Sequence, residues 1–424
     1  MLAGISCTDV PPVQPPPSGV EEKITLTPGE VGLTEATLRV SHRDSLSSWT
    51  LALLRDGSAV RTLTVLGRDT LLTDAGLEPS RTYTYSAVRI VDTTVKEKSN
   101  DLRVTTEAPT SSAFQWRIDS LGGGTSSSLY DVTIIRTDPP LIYAVGDVYL
   151  PGETKRYNLA MWDGSGWSLE RIPYRYEGRD FYSPIKTVIA FSATDTWFAG
   201  NGVLHWDGSQ YIPMPLPSDV WGAYQINKIW GTSSSNIYIV GDNGSIAHYN
   251  GSTWRKIESG TRLPIRGLYG AMKEDGSGYE ILCVANSYME PEGSKVIKIE
   301  NDKATTVWND RRDFGLDDIW FIPGKRYIVV GDGFWETDSL SKPFRDIREF
   351  DVLNAAYKHT ICGVNNKDIV VGGSFSLLVH FNGYKWTSFF PFTSGAAWGA
   401  KIKGDLIVAY GYAGRYAIAA IGRR

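Results

Sequence analysis

The sequence predicts an all-β protein of two domains, the larger built from repeated four-stranded units. At 424 residues the chain is too long for one ordinary domain. Its 12% aromatic residues, 43 Gly and 21 Pro favour strands and turns over helices. An apolar run that ends in glycine or its equivalent also recurs along residues 114–424, at steps of 38 to 54 residues. A period near 40 to 50 residues is typical of β-propeller blades.

Residues 1–20 are predicted to form an N-terminal tether. Small residues precede Cys7, and five prolines stand between residues 11 and 17. This segment resembles the end of a bacterial lipoprotein signal, although Gly4 stands where such signals usually carry Leu. The resemblance implies export, acylation of Cys7 and a membrane partner through this N-terminal lipid anchor. The expected location is the cell envelope as an outer-membrane lipoprotein, with the periplasmic or surface side open. The alternative is a disordered terminus with an incidental thiol.

Residues 21–108 are predicted to form a small β-sandwich. Short alternating apolar runs are separated by turn signals, and Asp56-Gly57 is typical of a tight hairpin. The segment from Leu77 to Tyr83 resembles the tyrosine corner of fibronectin type III domains. The resemblance implies a fibronectin type III-like domain in which the Tyr83 hydroxyl bonds backbone; another seven-stranded sandwich stays open. Residues 109–113 then form a linker.

The repeats of residues 114–424 predict a seven-bladed β-propeller. The glycine or its equivalent stands at positions 146, 200, 241, 285, 331, 372 and 410. An Asp-Gly or Asn-Gly pair between aromatic residues follows in several units, as at Trp206 to Tyr211, and predicts a hairpin between the third and fourth strands. The last unit supplies only three strands, so we expect residues 114–119 to provide its fourth strand and close the ring.

The repeat also resembles a group of bacterial extracytoplasmic propellers. Their Trp-Gly and His-Tyr-Asn-Gly-x-x-Trp signatures are present in Trp230-Gly231 and in His248 to Trp254. Asp-box and photosystem-assembly-factor propellers are more distantly similar. Some of these relatives carry transferase-like names, but the fold alone implies no reaction. The repeat positions of Trp230 and Trp254 predict that both rings are buried.

The residues that could carry chemistry favour a structural role. His205, His248 and His380 occupy equivalent repeat positions, whereas an active site is needed only once. Asp147, Asp242 and Asp332 also repeat and are expected to bond turn amides. Isolated carboxylates and scattered cysteines predict no metal, and no cofactor is expected. The net charge of −4 favours no nucleic-acid partner. We therefore expect a non-enzymatic binding or scaffolding protein.

The connections between strands are the expected binding surface. Aromatic and Arg side chains are enriched in interface hot spots, and a protein partner is predicted to contact Arg175, Tyr176, Phe181, Tyr182, Trp221, Tyr224, Arg311 and Arg312. The alternative is a carbohydrate-active enzyme or a glycan-binding lectin, in which a cluster of these arginines with Arg179 and a tyrosine would meet a sugar. Glycan is thus the second candidate ligand. These side chains could also simply cover the ring's central opening.

Overall fold

A computed structural model describes residues 20–176, 179–287, 293–310, 315–347, 356–389 and 395–424. The side chains of residues 175, 176 and 310 are outside this description. The chain divides into two compact units, Met1–Thr110 and Ser111–Arg424. Both units are built from strands, and the helical element in the described ranges is one 3₁₀ turn at Asp242–Gly244. No helix among these residues is long and apolar enough to span a membrane.

The first unit is one mixed sheet of eight strands. Its order is β4-β3-β6-β7-β1-β2-β5, with β8 paired to β6; the strands are β1 (Glu21–Val31), β2 (Glu35–His42), β3 (Ser48–Arg55), β4 (Ser58–Leu66), β5 (Asp69–Ala75), β6 (Thr82–Val91), β7 (Thr94–Ser99) and β8 (Leu102–Thr105). All pairs are antiparallel except β1 with β7. The core includes Leu38, Leu51, Leu53 and Tyr85.

The corner before β6 has the expected tyrosine geometry. The Tyr83 hydroxyl accepts a hydrogen bond from the Glu78 backbone N–H at 2.8 Å. Tyr83, Tyr85 and Ala87 are all buried, as a strand with one buried face requires. The two-layer fibronectin-type arrangement itself stays a prediction, because backbone pairing runs continuously through the eight strands.

The second unit contains seven four-stranded sheets within the described residues, and we number them as blades 1 to 7. Blade 1 is β10 (Ser128–Thr137), β11 (Pro140–Val148), β12 (Tyr157–Trp162) and β13 (Trp167–Glu170). A two-stranded hairpin, β14 (Tyr174–Tyr176) with β15 (Arg179–Phe181), follows it. Blade 2 is β16 (Ile185–Ser192), β17 (Asp195–Gly200), β18 (Val203–Trp206) and β19 (Tyr211–Pro213). Blade 3 is β20 (Ile226–Ser233), β21 (Asn236–Gly241), β22 (Ser245–Tyr249) and β23 (Trp254–Glu258).

The remaining blades repeat this antiparallel order. Blade 4 is β24 (Ile265–Met272), β25 (Tyr279–Ala285), β26 (Ser294–Glu300) and β27 (Lys303–Asp310). Blade 5 is β28 (Leu316–Ile322), β29 (Arg326–Gly331), β30 (Phe334–Thr337) and β31 (Arg345–Asp346). Blade 6 is β32 (Lys358–Asn365), β33 (Asp368–Gly373), β34 (Leu378–Phe381) and β35 (Trp386–Phe389). Blade 7 is β36 (Ala396–Lys403), β37 (Leu406–Ala413), β38 (Tyr416–Arg423) and β9 (Gln115–Gly122).

The ring closes as predicted. Strand β9 pairs with β38 over eight residues, from Gln115 opposite Arg423 to Gly122 opposite Tyr416. A buried cluster that includes Leu129, Ala144, Val408 and Tyr410 then joins blade 7 to blade 1. The two ends of the propeller therefore cover each other's sheet edges, which would otherwise be open to pairing with other chains.

The repeated glycine marks a close approach between two strands of one blade. A Cβ atom on Gly241 would collide with the Gln225 carbonyl oxygen, and one on Gly146 would collide with that of Ser128. Gly241 is the last residue of β21, and Gly146 lies two residues before the end of β11; both are opposite the start of the first strand. In blade 6 this position belongs to Gly373 rather than to Gly372, because Gly373 approaches the Tyr357 carbonyl. The glycine repeat thus reflects backbone packing.

In blades 1, 2, 3 and 6 the hairpin between third and fourth strands uses one polar side chain. The Asp163 carboxylate accepts hydrogen bonds from the Ser165 and Gly166 amides at 2.8 and 3.0 Å, and Asp207 does the same for its turn. These hydrogen bonds lower the pKa of both carboxyl groups to about 2. Asn250 and Asn382 make the equivalent bonds as neutral amides.

Candidate functional site at the mouth of the central channel

The first strands of the seven blades surround a central channel. They pack side by side in chain order, and β36 returns to β10. Connections from fourth to first strands and from second to third strands lie on one side, which we call the mouth face. A cavity of about 380 Å³ opens there, lined mainly by residues at the starts of the first strands. A second cavity of about 240 Å³ lies toward their ends, and Lys228 lines both.

A ring of polar side chains joins the blades below this mouth. Asp131, Thr187, Lys228, Asp318 and Thr360 occupy one register position, immediately after a bulge in the first strand. The Thr187 hydroxyl donates to Asp131 Oδ2 at 2.8 Å, and the Thr360 hydroxyl donates to Asp318 Oδ2 at 3.0 Å. Thr187 also accepts from the Ile229 amide of blade 3 at 3.3 Å. The ring therefore couples neighbouring blades.

The two buried carboxyl groups of this ring are in different electrostatic environments. Burial alone would raise the pKa of Asp131, but Lys228, Lys401 and the bond from Thr187 hold it below its usual value. The Lys228 Nζ atom lies 3.6 Å from Asp131 Oδ2. For Asp318 burial prevails, and its pKa is raised because the same lysines offset the desolvation only in part.

The mouth above the ring has a basic half and an acidic half. Lys186, Lys228 and Arg266 are on blades 2, 3 and 4, whereas Asp317 and Asp318 are on blade 5. Asp317 is shared: His359 Nδ1 lies 3.1 Å from one carboxylate oxygen and Arg266 Nε 3.8 Å from the other. The acidic half is thus already occupied by the protein's own donors.

Of the cationic side chains at this mouth, Lys186 is the one least neutralised by nearby carboxylates. Its ammonium lies 3.6 Å from the centre of the Tyr130 ring, a cation–π contact. Within the described part of the chain it forms no ion pair, since the neighbouring Asp147 is bound by Tyr130 and Arg156 at 3.0 and 2.6 Å. Burial lowers the pKa of Lys186, and Asp147 raises it in part.

The mouth cavity does not coincide with the residues predicted from the sequence. Phe181 is 46% exposed on the connection between blades 1 and 2, and Tyr182 is half-buried with Lys155 Nζ 5.7 Å from its ring centre. Arg175 and Tyr176 belong to β14, but their side chains are outside the description. Arg311, Arg312 and Cys7 lie outside the described residues altogether.

The expectation that Trp221 is exposed is wrong. Its side chain is only 5% exposed and packs with Trp197, Ile226 and Trp254 between blades 2 and 3. The indole N–H donates to the Tyr224 carbonyl at 2.9 Å, so Trp221 anchors the connection that carries Tyr224. Tyr224 itself is 43% exposed and lines a shallow polar groove of about 860 Å³ with Arg262.

The repeated histidines bond within or between blades. His205 Nε2 lies 2.8 Å from Asp195, His248 Nε2 lies 2.8 Å from Asn236, and His380 Nε2 lies 2.9 Å from Asp368. The three partners are equivalent, each at the start of a second strand. Trp254 is buried as expected, whereas Trp230 is only partly buried.

The repeated aspartates differ from the prediction in two of three blades. Asp332 accepts from the Gly315 amide at 2.9 Å, as predicted. Asp242 instead accepts from the Asn227 side chain, and Asp147 accepts from Tyr130 and Arg156. Among the described residues, no group of three or more His, Cys, Asp or Glu side chains is arranged to hold a metal ion.

The fold is similar to that of solved β-propellers. The structure titled YCF48 bound to D1 peptide aligns with a TM-score of 0.55 at 15% identity, over 74% of this chain and 99% of that one. YCF48 from Cyanidioschyzon merolae aligns at 0.50 and 15%, over 71% and 98%. The WD40 propeller domain of Doa1 aligns at 0.51 and 11%, over 73% and 97%. At such identities the similarity shows the fold alone, a seven-bladed all-β propeller. Neither a protein-family model nor a curated protein matches the sequence.

Sequence reasoning missed the charged residues of the mouth. Lys186 and Arg266 are single charges at the starts of otherwise apolar strands, so no motif marks them. One signal could have been found by aligning the seven first strands on their bulges. In that alignment the charged residues Asp131, Lys228 and Asp318 occupy a position that is Thr or Gly in the other blades.

Proposed function

We propose that this chain is a non-enzymatic protein-binding propeller that receives a segment of a partner on its mouth face. The observation that carries this proposal is the polarised cavity at the channel mouth, where half-buried Lys186 forms no ion pair with any carboxylate in the described ranges. A partner that supplies the missing charge would gain a charge-assisted contact in a partly desolvated site. One propeller of similar fold is bound to a peptide, which supports this mode of use by analogy.

Binding without catalysis is supported by the state of the acidic groups. Asp131 and Asp318 accept hydrogen bonds from backbone amides and threonine hydroxyls of the next blade. Asp317 is held by His359 and Arg266. These bonds give each carboxylate a role in joining the ring, and a scaffolding function requires nothing more of them.

The contact surface extends from the mouth to the exposed aromatic connections. Phe181 and Tyr224 are exposed, and rigid aromatic side chains lose little conformational entropy on docking. The predicted contacts Arg175, Tyr176, Arg311 and Arg312 belong to the same proposed surface. Loss of a central anchor of such a surface costs roughly 1 to 4 kcal/mol of binding.

We also propose a cell-envelope role for the whole chain, with a fibronectin type III-like first unit and a lipid anchor at Cys7. The Tyr83 corner supports the domain assignment, and the small residues before Cys7 support the anchor. Intact mass of the protein from its native source tests the anchor, since an unmodified Cys7 would refute it.

Co-purification tests the binding proposal. The tagged full-length chain is cross-linked in native membranes, and the recovered chains are compared between wild type, Phe181→Ala and Tyr224→Ala. Lys385→Ala is the control, because this exposed residue lies on the connection between β34 and β35, on the opposite face. We expect the aromatic variants to lose a partner that the control keeps. Equal recovery by all variants, at unchanged thermal stability, would refute the mouth face as the binding surface.

A further inference from the structure

The mouth cavity contains donor groups that form no hydrogen bond within the described residues. The Lys186 ammonium has a cation–π contact with Tyr130 and no ion pair among the residues that the structure describes. In the described ranges the side-chain amide of Gln225 makes no hydrogen bond, and neither does the Arg266 guanidinium, which approaches Asp317 no closer than 3.8 Å. Lys186 and Arg266 lie at the starts of the first strands of blades 2 and 4, and Gln225 immediately precedes the first strand of blade 3. All three line one cavity.

The carboxylates that line this cavity are already committed to donors of the protein. Asp317 is shared by His359 and Arg266, and Asp318 accepts from Thr360 and two backbone amides. Within the described residues, the mouth therefore has cationic groups without a hydrogen-bonded acceptor on one side and carboxylates engaged by the protein on the other. Such an arrangement favours a ligand that carries an anionic acceptor with planar geometry.

We propose that Lys186, Gln225 and Arg266 form a carboxylate-binding site for a peptide at the channel mouth. A carboxylate provides two oxygens, so one can accept from the ammonium while the other accepts from the amide or the guanidinium. The carboxylate would have to replace hydration on a lysine that is already half-buried, which makes the ammonium contact stronger than on an open surface. The inference rests on the proposed function, because it names the chemistry of the segment bound at that site.

The geometry requires the carboxylate to enter from the mouth face. Below the three donors lies the polar ring, where Thr187 bonds Asp131 and Lys228 lies 3.6 Å from the same carboxylate. A ligand carboxylate at that depth would meet Asp131, which keeps its own negative charge. The site is therefore placed at the mouth and not in the middle of the channel.

Calorimetric titration with synthetic peptides tests the inference on the full-length chain. The probes are an N-acetylated hexapeptide of alanine and one tyrosine as free acid, the same peptide as C-terminal amide, and the amide with one internal glutamate. The two carboxylate sources are a chain end and an acidic side chain, and the probes separate them. We expect at least tenfold tighter binding for one carboxylate form than for the plain amide.

Variants connect this preference to the site. Lys186→Met should abolish the difference between the preferred carboxylate peptide and the plain amide. Lys186→Arg should retain this difference, and Lys385→Met on the opposite face should leave it unchanged. Equal binding of all three probes by the wild type, or an unchanged preference in Lys186→Met, would overturn the inference. If a partner is still recovered on the mouth face in that case, the proposed function survives and only the carboxylate site fails.

Discussion

Replacement of Trp221 by alanine tests whether this residue belongs to the core or to the contact surface. The indole is 5% exposed, belongs to the buried cluster that includes Trp197 and Trp254, and lies over Gly241. A buried Trp covers about 150 to 250 Å², and at about 25 cal/mol per Å² its transfer contributes roughly 4 to 6 kcal/mol. Partial collapse of the cavity reduces this to about 3 to 5 kcal/mol of lost stability. The hydrogen bond to the Tyr224 carbonyl adds about 1 kcal/mol or less, because water can replace it on an exposed loop.

Thermal unfolding followed by circular dichroism measures this loss. For a unit of this size we expect a fall in Tm of about 6 to 10 °C, at about 2 °C per kcal/mol. Trp254→Ala serves as a buried reference and should fall by a similar amount. Tyr224→Ala is the matched control from the same connection, and its exposed ring predicts a change of less than about 2 °C. A Trp221→Ala protein with the Tm of wild type would refute the assignment of this residue to the core.

Three further predictions concern the hairpin turns, the polar ring and the closing strand β9. First, Asp163 and Asp207 contribute stability that is present above their unfolded pKa near 3.8 and is lost as pH falls toward about 2. The variant with Asn at both positions should therefore show a weaker pH dependence of Tm between pH 4 and pH 2. A slope identical to that of wild type would contradict this. Second, Thr187→Val removes the donor to buried Asp131 and should lower stability by about 1 to 3 kcal/mol in urea unfolding, whereas a change below about 0.5 kcal/mol would argue against a coupling role. Third, deletion of β9 exposes the β38 edge, so light scattering should show self-association that wild type lacks; a monomeric deletion variant would contradict the closure argument.

The sequence was sufficient for the propeller because its signals repeat. A glycine near the end of most second strands, and an Asx-Gly pair in most hairpins, recur with a period that only a stacked ring satisfies. The missing fourth strand of blade 7 then identified β9, which extends from Gln115 to Gly122 rather than over residues 114–119. Each of these predictions depended on many copies of one local rule.

The candidate site could not be predicted in the same way. Trp221 lies in a connection that occurs once, so no periodicity distinguishes a buried ring from an exposed one. The mouth joins Lys186, Arg266 and Asp317 across three blades, and their proximity exists only after the first strands surround the channel. Whether a charged group already has a partner, as Asp317 does and Lys186 among the described residues does not, depends on distances that no motif encodes.

Closure by β9 also determines the order in which the chain can finish folding as it leaves the ribosome. Strand β9 is synthesised before the first strand of blade 1, yet the strand that it pairs with, β38, spans Tyr416–Arg423. Some 300 residues must therefore emerge before the ring can shut, while the first unit already has all eight of its paired strands. During that interval β9 has no β38 with which to pair. Because the two strands are far apart in the sequence, ring closure is expected to be a slow step. The nascent propeller is most vulnerable to mispairing at the strand that later seals it.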